Sequence, residues 1–231
     1  MLGLASGIPL AWSWLGAARP AIGDDEGQDE SQNKDDKEDE GQDESQGHII
    51  RIEEDWFVKI GTPDPESDSP QITSVIAPSW TLTGGYAVFD LNCATQPGFV
   101  SGGVQLQVWQ NDVITQSRSN GHQDSLHRVD EEIRYTTVMS IVDDKLVFEI
   151  LNGTSDTWGT FGTGELKLEV DTWRPHLDHY SPDFTASHSQ IGFASHRVRR
   201  FILERVRYFS PSGLQSTDDT PRVLHQYDPE T

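Results

Sequence analysis

From His48 onward apolar side chains recur at every second position, a period that places residues on alternate faces of a strand and excludes long amphipathic helices. Leu166, Leu168 and Val170 alternate with Lys167, Glu169 and Asp171. The longest stretch without Gly or Pro, His122 to Asn152, is where a long helix would have to lie, yet it also alternates. Ile133, Tyr135, Thr137, Met139 and Ile141 share one face, Asp143 and Asp144 make a turn, and Leu146, Phe148 and Ile150 resume the pattern. This predicts an antiparallel hairpin. Further strands are predicted at Ile49–Ile60, Ile72–Ile76, Phe99–Trp109, Val113–Ser117, Ile191–Ala194 and Val198–Phe209, and a face of Ala87, Phe89, Leu91 and Cys93 marks another. About ten strands separated by short turn signals describe an all-β, two-sheet antiparallel sandwich of the jelly-roll type. In that pattern Cys93 is a small buried hydrophobe rather than a reactive thiol, because no basic neighbours surround it.

The residues before His48 are of a different kind. Residues 24–46 hold 12 acids, 2 lysines and no aliphatic or aromatic side chain, so they lack the apolar surface that offsets ordering entropy. They contain the string Asp-Glu-Gly-Gln-Asp-Glu-Ser-Gln twice, at 25–32 and 39–46. A repeat without apolar positions signals low complexity rather than a solenoid. Residues 24–47 are therefore expected to be a disordered acidic linker. Ahead of them, Met1 to Ala18 is uncharged and mostly apolar, with small residues at Gly16, Ala18, Ala21 and Gly23 as cleavage sites. Residues 1–23 read as a signal peptide or N-terminal leader, although no basic residue precedes the apolar run. Pro9 and the lack of basic flanks make a permanent anchor the weaker reading, so no stable membrane span is expected after processing. The resulting organisation is leader 1–23, linker 24–47, sandwich 48–210 and C-terminal tail 211–231, in a secreted or cell-envelope protein.

The net charge of -21 argues against sequence-independent binding to nucleic acid or an anionic membrane, both of which need a basic footprint. A single cysteine excludes an intramolecular disulfide framework and a thiolate zinc cluster.

Three stretches together resemble a known superfamily: Ile52-Glu53-Glu54-Asp55-Trp56, the meander Tyr135 to Leu151, and Ile191-Gly192-Phe193 followed by Val198 to Tyr208. They are similar to the concanavalin A-like lectins and glucanases, particularly the laminin G-like branch, over about residues 48–210. The resemblance is one of strand order rather than of a signature motif. It implies that the first and last strands are neighbours in one sheet. It also implies lectins, adhesion modules, glycoside hydrolases or polysaccharide lyases as candidate activities, among which the fold does not choose.

Several residues are candidates for chemistry. A glycosidase of this kind needs two opposed carboxyls, and the superfamily's E-x-D-x-x-E string does not occur. Asp130, Glu131 and Glu132 are consecutive, which puts Glu131 on the face opposite its neighbours, while Glu149 and Glu165 are isolated. No G-x-S-x-G elbow is present. His176, Asp178 and His179, with His188 and His196 further on, offer imidazoles to a metal from what reads as a surface loop. Calcium is implied by the resemblance, with Asp143 and Asp144, or Asp112 with Asn111, as oxygen donors, although hairpin turns alone favour Asp and Asn there. Arg197, Arg199, Arg200, Arg205 and Arg207 form a basic stripe that serves either an anionic glycan or adjacent acidic strands. Sugar rings stack on tryptophan, and the domain offers Trp56, Trp80, Trp109, Trp158 and Trp173. Trp56 and Trp109 lie in strands and read as core. Trp158 stands out because Asn152 to Gly162 reads as a polar, Gly-rich loop, so Trp158, Asn152 and Asp156 are the ligand-binding candidates, against the alternative of a flap anchored by Trp158 and Phe161. Asn152-Gly153-Thr154 is also a formal glycosylation acceptor.

The expected function is thus a non-catalytic module binding carbohydrate or a surface protein. A polysaccharide hydrolase or lyase and a structural domain of a surface assembly are the alternatives.

Overall fold

A computed structural model describes residues 47–61, 70–91, 103–120, 124, 126 and 128–227. The leader, the acidic linker up to residue 46 and Cys93 lie outside the described residues. The domain is an all-β sandwich of two antiparallel sheets. The described strands are β1 (Arg51–Ile60), β2 (Gln71–Ile76), β3 (Tyr86–Leu91), β4 (Val104–Gln110), β5 (Val113–Ser119), β6 (Glu132–Val142), β7 (Lys145–Ser155), β8 (Gly159–Phe161), β9 (Lys167–Asp171), β10 (Gln190–Phe193), β11 (Val198–Ser210), β12 (Gly213–Asp218) and β13 (Arg222–Gln226). A short helix, α1 (Pro182–His188), starts at Ser181, whose side chain accepts from Phe184 N, with Pro182 in the first turn.

One sheet runs β12-β11-β1-β6-β7-β8, with β13 also pairing to β11 and β9 to β7; the other runs β10-β2-β3-β4-β5. The first strand pairs with β11 from Arg51 opposite Phe209 to Ile60 opposite Val198. Segment 211–231, expected to be a tail, instead supplies β12 and β13 to this sheet. The reason is the short turn Pro211-Ser212, which folds the chain straight back onto β11 with Gly213 at φ 119. Leu224 packs against the core, and Arg222 bridges Asp183 at 2.6 Å and Asp218 at 2.8 Å. No apolar alternation announces either strand, because both lie largely at the surface and bury little.

The alternating residues fill the space between the sheets. Ile52, Trp56, Val58 and Ile60 of β1 meet Phe89, Leu91, Leu106 and Val108 of the opposite sheet, joined by Leu146, Phe148, Phe201 and Leu203. The hairpin predicted at Asp143-Asp144 is a two-residue turn with both residues at positive φ (49° and 61°), and Asn111-Asp112 repeats it (51° and 61°). Such turns match the twist of the flanking strands, and they favour Asn and Asp, which tolerate this backbone. A second, smaller apolar cluster covers the outer face of β2 and β3, where Val75, Ala77, Tyr86 and Val88 pack under Leu82, Trp109 and Phe184 of α1. Trp109 is therefore half-buried outside the main core, stacked on Tyr86, whereas Trp56 is sealed within it.

Candidate functional site

The β6–β7 hairpin separates the sequence-derived candidates. Its turn, Asp143-Asp144, lies at one end of the sandwich, and Asn152 to Trp158 lie at the other, so the calcium and ligand candidates do not form one site. Trp158 is only 4% exposed. It is an anchor rather than a platform, because residues 152–155 continue β7, residues 159–161 form β8, and the turn between them folds back over the core. The indole Nε1 donates to Asp124 O at 2.6 Å, and the ring meets Phe161 edge-on.

The turn is held by Glu131, buried on the face opposite Asp130 and Glu132 as its position in the alternation predicts. Its carboxylate accepts from Ser155 Oγ, from Thr157 N at 2.8 Å and from Thr157 Oγ1 at 2.6 Å. Asn152 and Asp156 remain exposed, Asn152 at φ 54 with its amide 3.4 Å from Thr136 Oγ1.

The interior carries a polar seam that the alternation pattern did not announce. Glu54 points inward from β1 and is fully buried. It accepts from Tyr180 Oη at 2.5 Å, Thr137 Oγ1 at 2.6 Å and Trp56 Nε1 at 3.1 Å. Burial pushes its carboxyl up to about 7, against the lowering pull of those hydrogen bonds. Nearby, Tyr135 of one sheet bonds Ser74 of the other. Asp90, on the outward side of β3, is also pushed to about 7 by burial, with Thr73 Oγ1 donating at 2.6 Å as the opposing influence. Glu54 is enclosed by its own donors, an arrangement that suits packing rather than attack on a substrate.

The arginine stripe is largely spent on ion pairs, across strands for Arg207 and with flanking turns for Arg205 and Arg199. Arg207 reaches Glu53 at 3.0 Å and Asp55 at 2.8 Å, Arg205 reaches Asp219 at 3.2 Å, and Arg199 reaches Asp130 at 3.0 Å. Arg197 is buried and donates to Leu126 O at 3.3 Å. Lys59, Arg199 and Arg200 still line a hollow of about 210 Å³ beside Tyr227, and a wider cleft of about 680 Å³ lies between β5 and β9, lined by Arg118, Lys145 and Lys167 among others.

The end of the sandwich that carries Asp143-Asp144 holds a more distinctive surface. Here lie the loop between β2 and β3 and the loop that follows β9. Trp80 on the first is 67% exposed and Trp173 on the second is 84% exposed, the two most exposed large apolar side chains among the described residues. Arg174 joins the loops: its guanidinium donates to Ser79 Oγ at 3.4 Å and lies 5.3 Å from the centre of the Trp173 ring. Thr81 and Thr83, hydrogen-bonded to each other at 2.7 Å, add hydroxyls beside Trp80. Both tryptophans were visible in the sequence, but their context is two ordinary polar loops, so no local signal separates them from a buried anchor such as Trp158.

Of the expected trio His176, Asp178 and His179, the loop after β9 brings His176 and Asp178 together, leaves His179 outside the group and adds His48, which no spacing in the sequence places there. Asp178 Oδ2 lies 2.6 Å from His48 Nδ1 and 3.2 Å from His176 Nδ1. The Asp178 carboxyl sits below its usual range: partial burial works to raise it, but hydrogen bonds from His48 and Ile49 N and the neighbouring His176 outweigh that effect. His188 instead caps its own helix through Phe184 O at 2.9 Å. No protein-family model matches the sequence, and a search of curated proteins finds no relative.

Proposed function

We propose that the sandwich is a non-catalytic carbohydrate-binding module of a secreted or envelope-exposed protein, and that its ligand docks on the rim formed by Trp80, Arg174 and Trp173. The single observation that carries this reading is the exposure of the two tryptophans on loops joined by Arg174. Leaving indole rings in water forgoes the burial that stabilises every other packed aromatic here, and an exposed apolar patch rimmed by polar groups is the form that binding surfaces take. Sugars present C–H faces that stack on indole, while Arg174 and the Thr81 and Thr83 hydroxyls supply hydrogen bonds to ring oxygens. The pairing of β1 with β11 accords with the strand order that prompted the concanavalin A-like resemblance. The acidic segment before His48 would then act as a spacer between this module and what precedes it.

A glycan array probed with the parent protein, Trp80→Ala and Trp173→Ala tests the reading. Binding by the parent that both variants lose, at unchanged melting temperature, is the expected result. Parent binding that survives both substitutions moves the site elsewhere, and release of reducing ends from a bound polysaccharide replaces the module with a hydrolase.

A further inference from the structure

We propose that His48, His176 and Asp178 bind a divalent transition-metal ion of the zinc class, through the Nδ1 atom of each imidazole and Oδ2 of the aspartate. The three ligand atoms lie within 4.8 Å of one another. Metal–ligand bonds of about 2.0–2.1 Å in a tetrahedron set ligand atoms roughly 3.3 Å apart. The His176–Asp178 edge of 3.2 Å already matches that spacing, and the His48–Asp178 edge of 2.6 Å opens to it as the His48 ring turns.

The fold sets where the groups stand. The rings of His48 and His176 stack at 4.4 Å with planes 10° apart, and both place Nδ1 near the same carboxylate oxygen. An imidazole ligates along the lone pair in its ring plane, so the exposed His48 ring turns out of the stack for both nitrogens to meet one ion. The other oxygen of Asp178 accepts from Ile49 N at 2.8 Å, the kind of outer hydrogen bond that aims a ligating carboxylate. Leu177 N donates to Ile49 O at 2.7 Å, so backbone bonds hold the segment before β1 against the loop after β9 at the site itself. The backbone anchor points are thus fixed, and the ordering that remains is the rotation of one exposed imidazole.

The donor set selects the ion. Two imidazoles and one carboxylate suit zinc, copper or nickel, whereas calcium and magnesium prefer oxygen throughout. His179, whose ring lies 5.9 Å from that of His176, or a water molecule is available for a fourth position. The 12 carboxylates of residues 24–46 stand immediately N-terminal to Gly47 and His48 in the chain, and their charge raises the local concentration of cations. Bound metal would clip the start of β1 to the loop that carries Trp173. The inference is independent of the glycan reading, since it uses none of the rim residues.

The test uses the full chain, first stripped with a chelator. Co²⁺ titration followed by visible absorption, and melting in Zn²⁺ against chelator, are compared for the parent, His48→Ala, His176→Ala and Asp178→Asn, with His188→Ala as control. The parent and control should develop an intense tetrahedral cobalt band and melt higher in zinc. The three site variants should lose at least tenfold in affinity and lose the zinc-dependent rise, while melting like the parent in chelator. If a site variant melts lower even in chelator, the cobalt spectrum of the folded protein at low temperature decides. A cobalt band or zinc-dependent rise that persists in both histidine variants overturns the proposal, as does metal binding that vanishes only when residues 24–46 are deleted.

Discussion

Tyr180, in the loop that precedes α1, donates a 2.5 Å hydrogen bond to the fully buried carboxyl of Glu54 in the first strand, 126 residues away. This bond ties the loop to the centre of the sandwich and makes the ionisation of Glu54 a matter of stability. Unfolded, the group releases its proton near its ordinary value of 4.5; folded, it keeps the proton up to about 7. Between these values the folded state binds more protons, so stability falls as pH rises and the loss is complete above 7. The size is on the order of 3 kcal/mol. Glu54→Gln stays neutral at every pH. Denaturant melts of both proteins from pH 4 to 8 should show the variant gaining on the parent by about that amount, and a constant difference between them would rule out the buried proton.

Trp158 and Trp173 should behave in opposite ways. Truncating the buried Trp158 to Ala removes its core contacts and the bond to Asp124 O, and should cost about 3–5 kcal/mol. Trp173→Ala should change stability by less than about 0.5 kcal/mol, as surface substitutions do. Thermal melts of the two variants beside the parent check this, and equal destabilisation would contradict the assigned burial.

The fold of the segment 152–162 depends on two glycines. At Gly162 φ is +79°, and a Cβ there would lie 2.5 Å from the carbonyl oxygen of Ile150, while at Gly153 it would meet the ring of Phe161. Gly162→Ala should therefore destabilise by about 3 kcal/mol, from a disfavoured backbone plus a clash with main-chain atoms that have no room to move. Calorimetry on this variant tests the packing of the turn directly.

Ending the chain at Ser210 removes β12 and β13 and leaves β11 as a bare sheet edge. It also removes Leu224 from the core margin and the Arg222 bridges to Asp183 and Asp218. The truncated protein should melt on the order of 10 °C lower, and it should self-associate through the exposed edge. Light scattering and a melt suffice; a monomer with the parent's melting temperature would show the two strands to be dispensable.

Arg207 sits between Glu53 and Asp55, two carboxylates on the same face of β1. Arg207→Ala should cost about 1 kcal/mol, because it removes the guanidinium that bridges the two carboxylates and leaves Glu53 to Arg51 and Asp55 to the more distant Arg205. Salt should reduce that cost, and an unchanged cost at high ionic strength would assign the effect to packing instead.

The sequence by itself determined the class of fold and much of its wiring. Alternation in β1, β6, β7 and β9 decides which side chains enter the core, because a period of two leaves a strand no other choice once one face is buried. Asp143-Asp144 fixes a turn, and the position of Glu131 among its neighbours fixes the face it occupies, since both properties are local. Tertiary structure decided what burial does to each residue. Trp158 and Trp173 both follow polar or glycine-containing stretches, yet one is roofed by Phe161 and the chain near Asp124 while the other stands in solvent, and only the packing of distant segments separates them. Likewise β12 and β13 draw their stability from an edge already built by β11 rather than from an apolar pattern of their own. His48 meets His176 and Asp178 only because β1 and the loop after β9 end on the same rim, a relation between segments some 130 residues apart that no local spacing encodes.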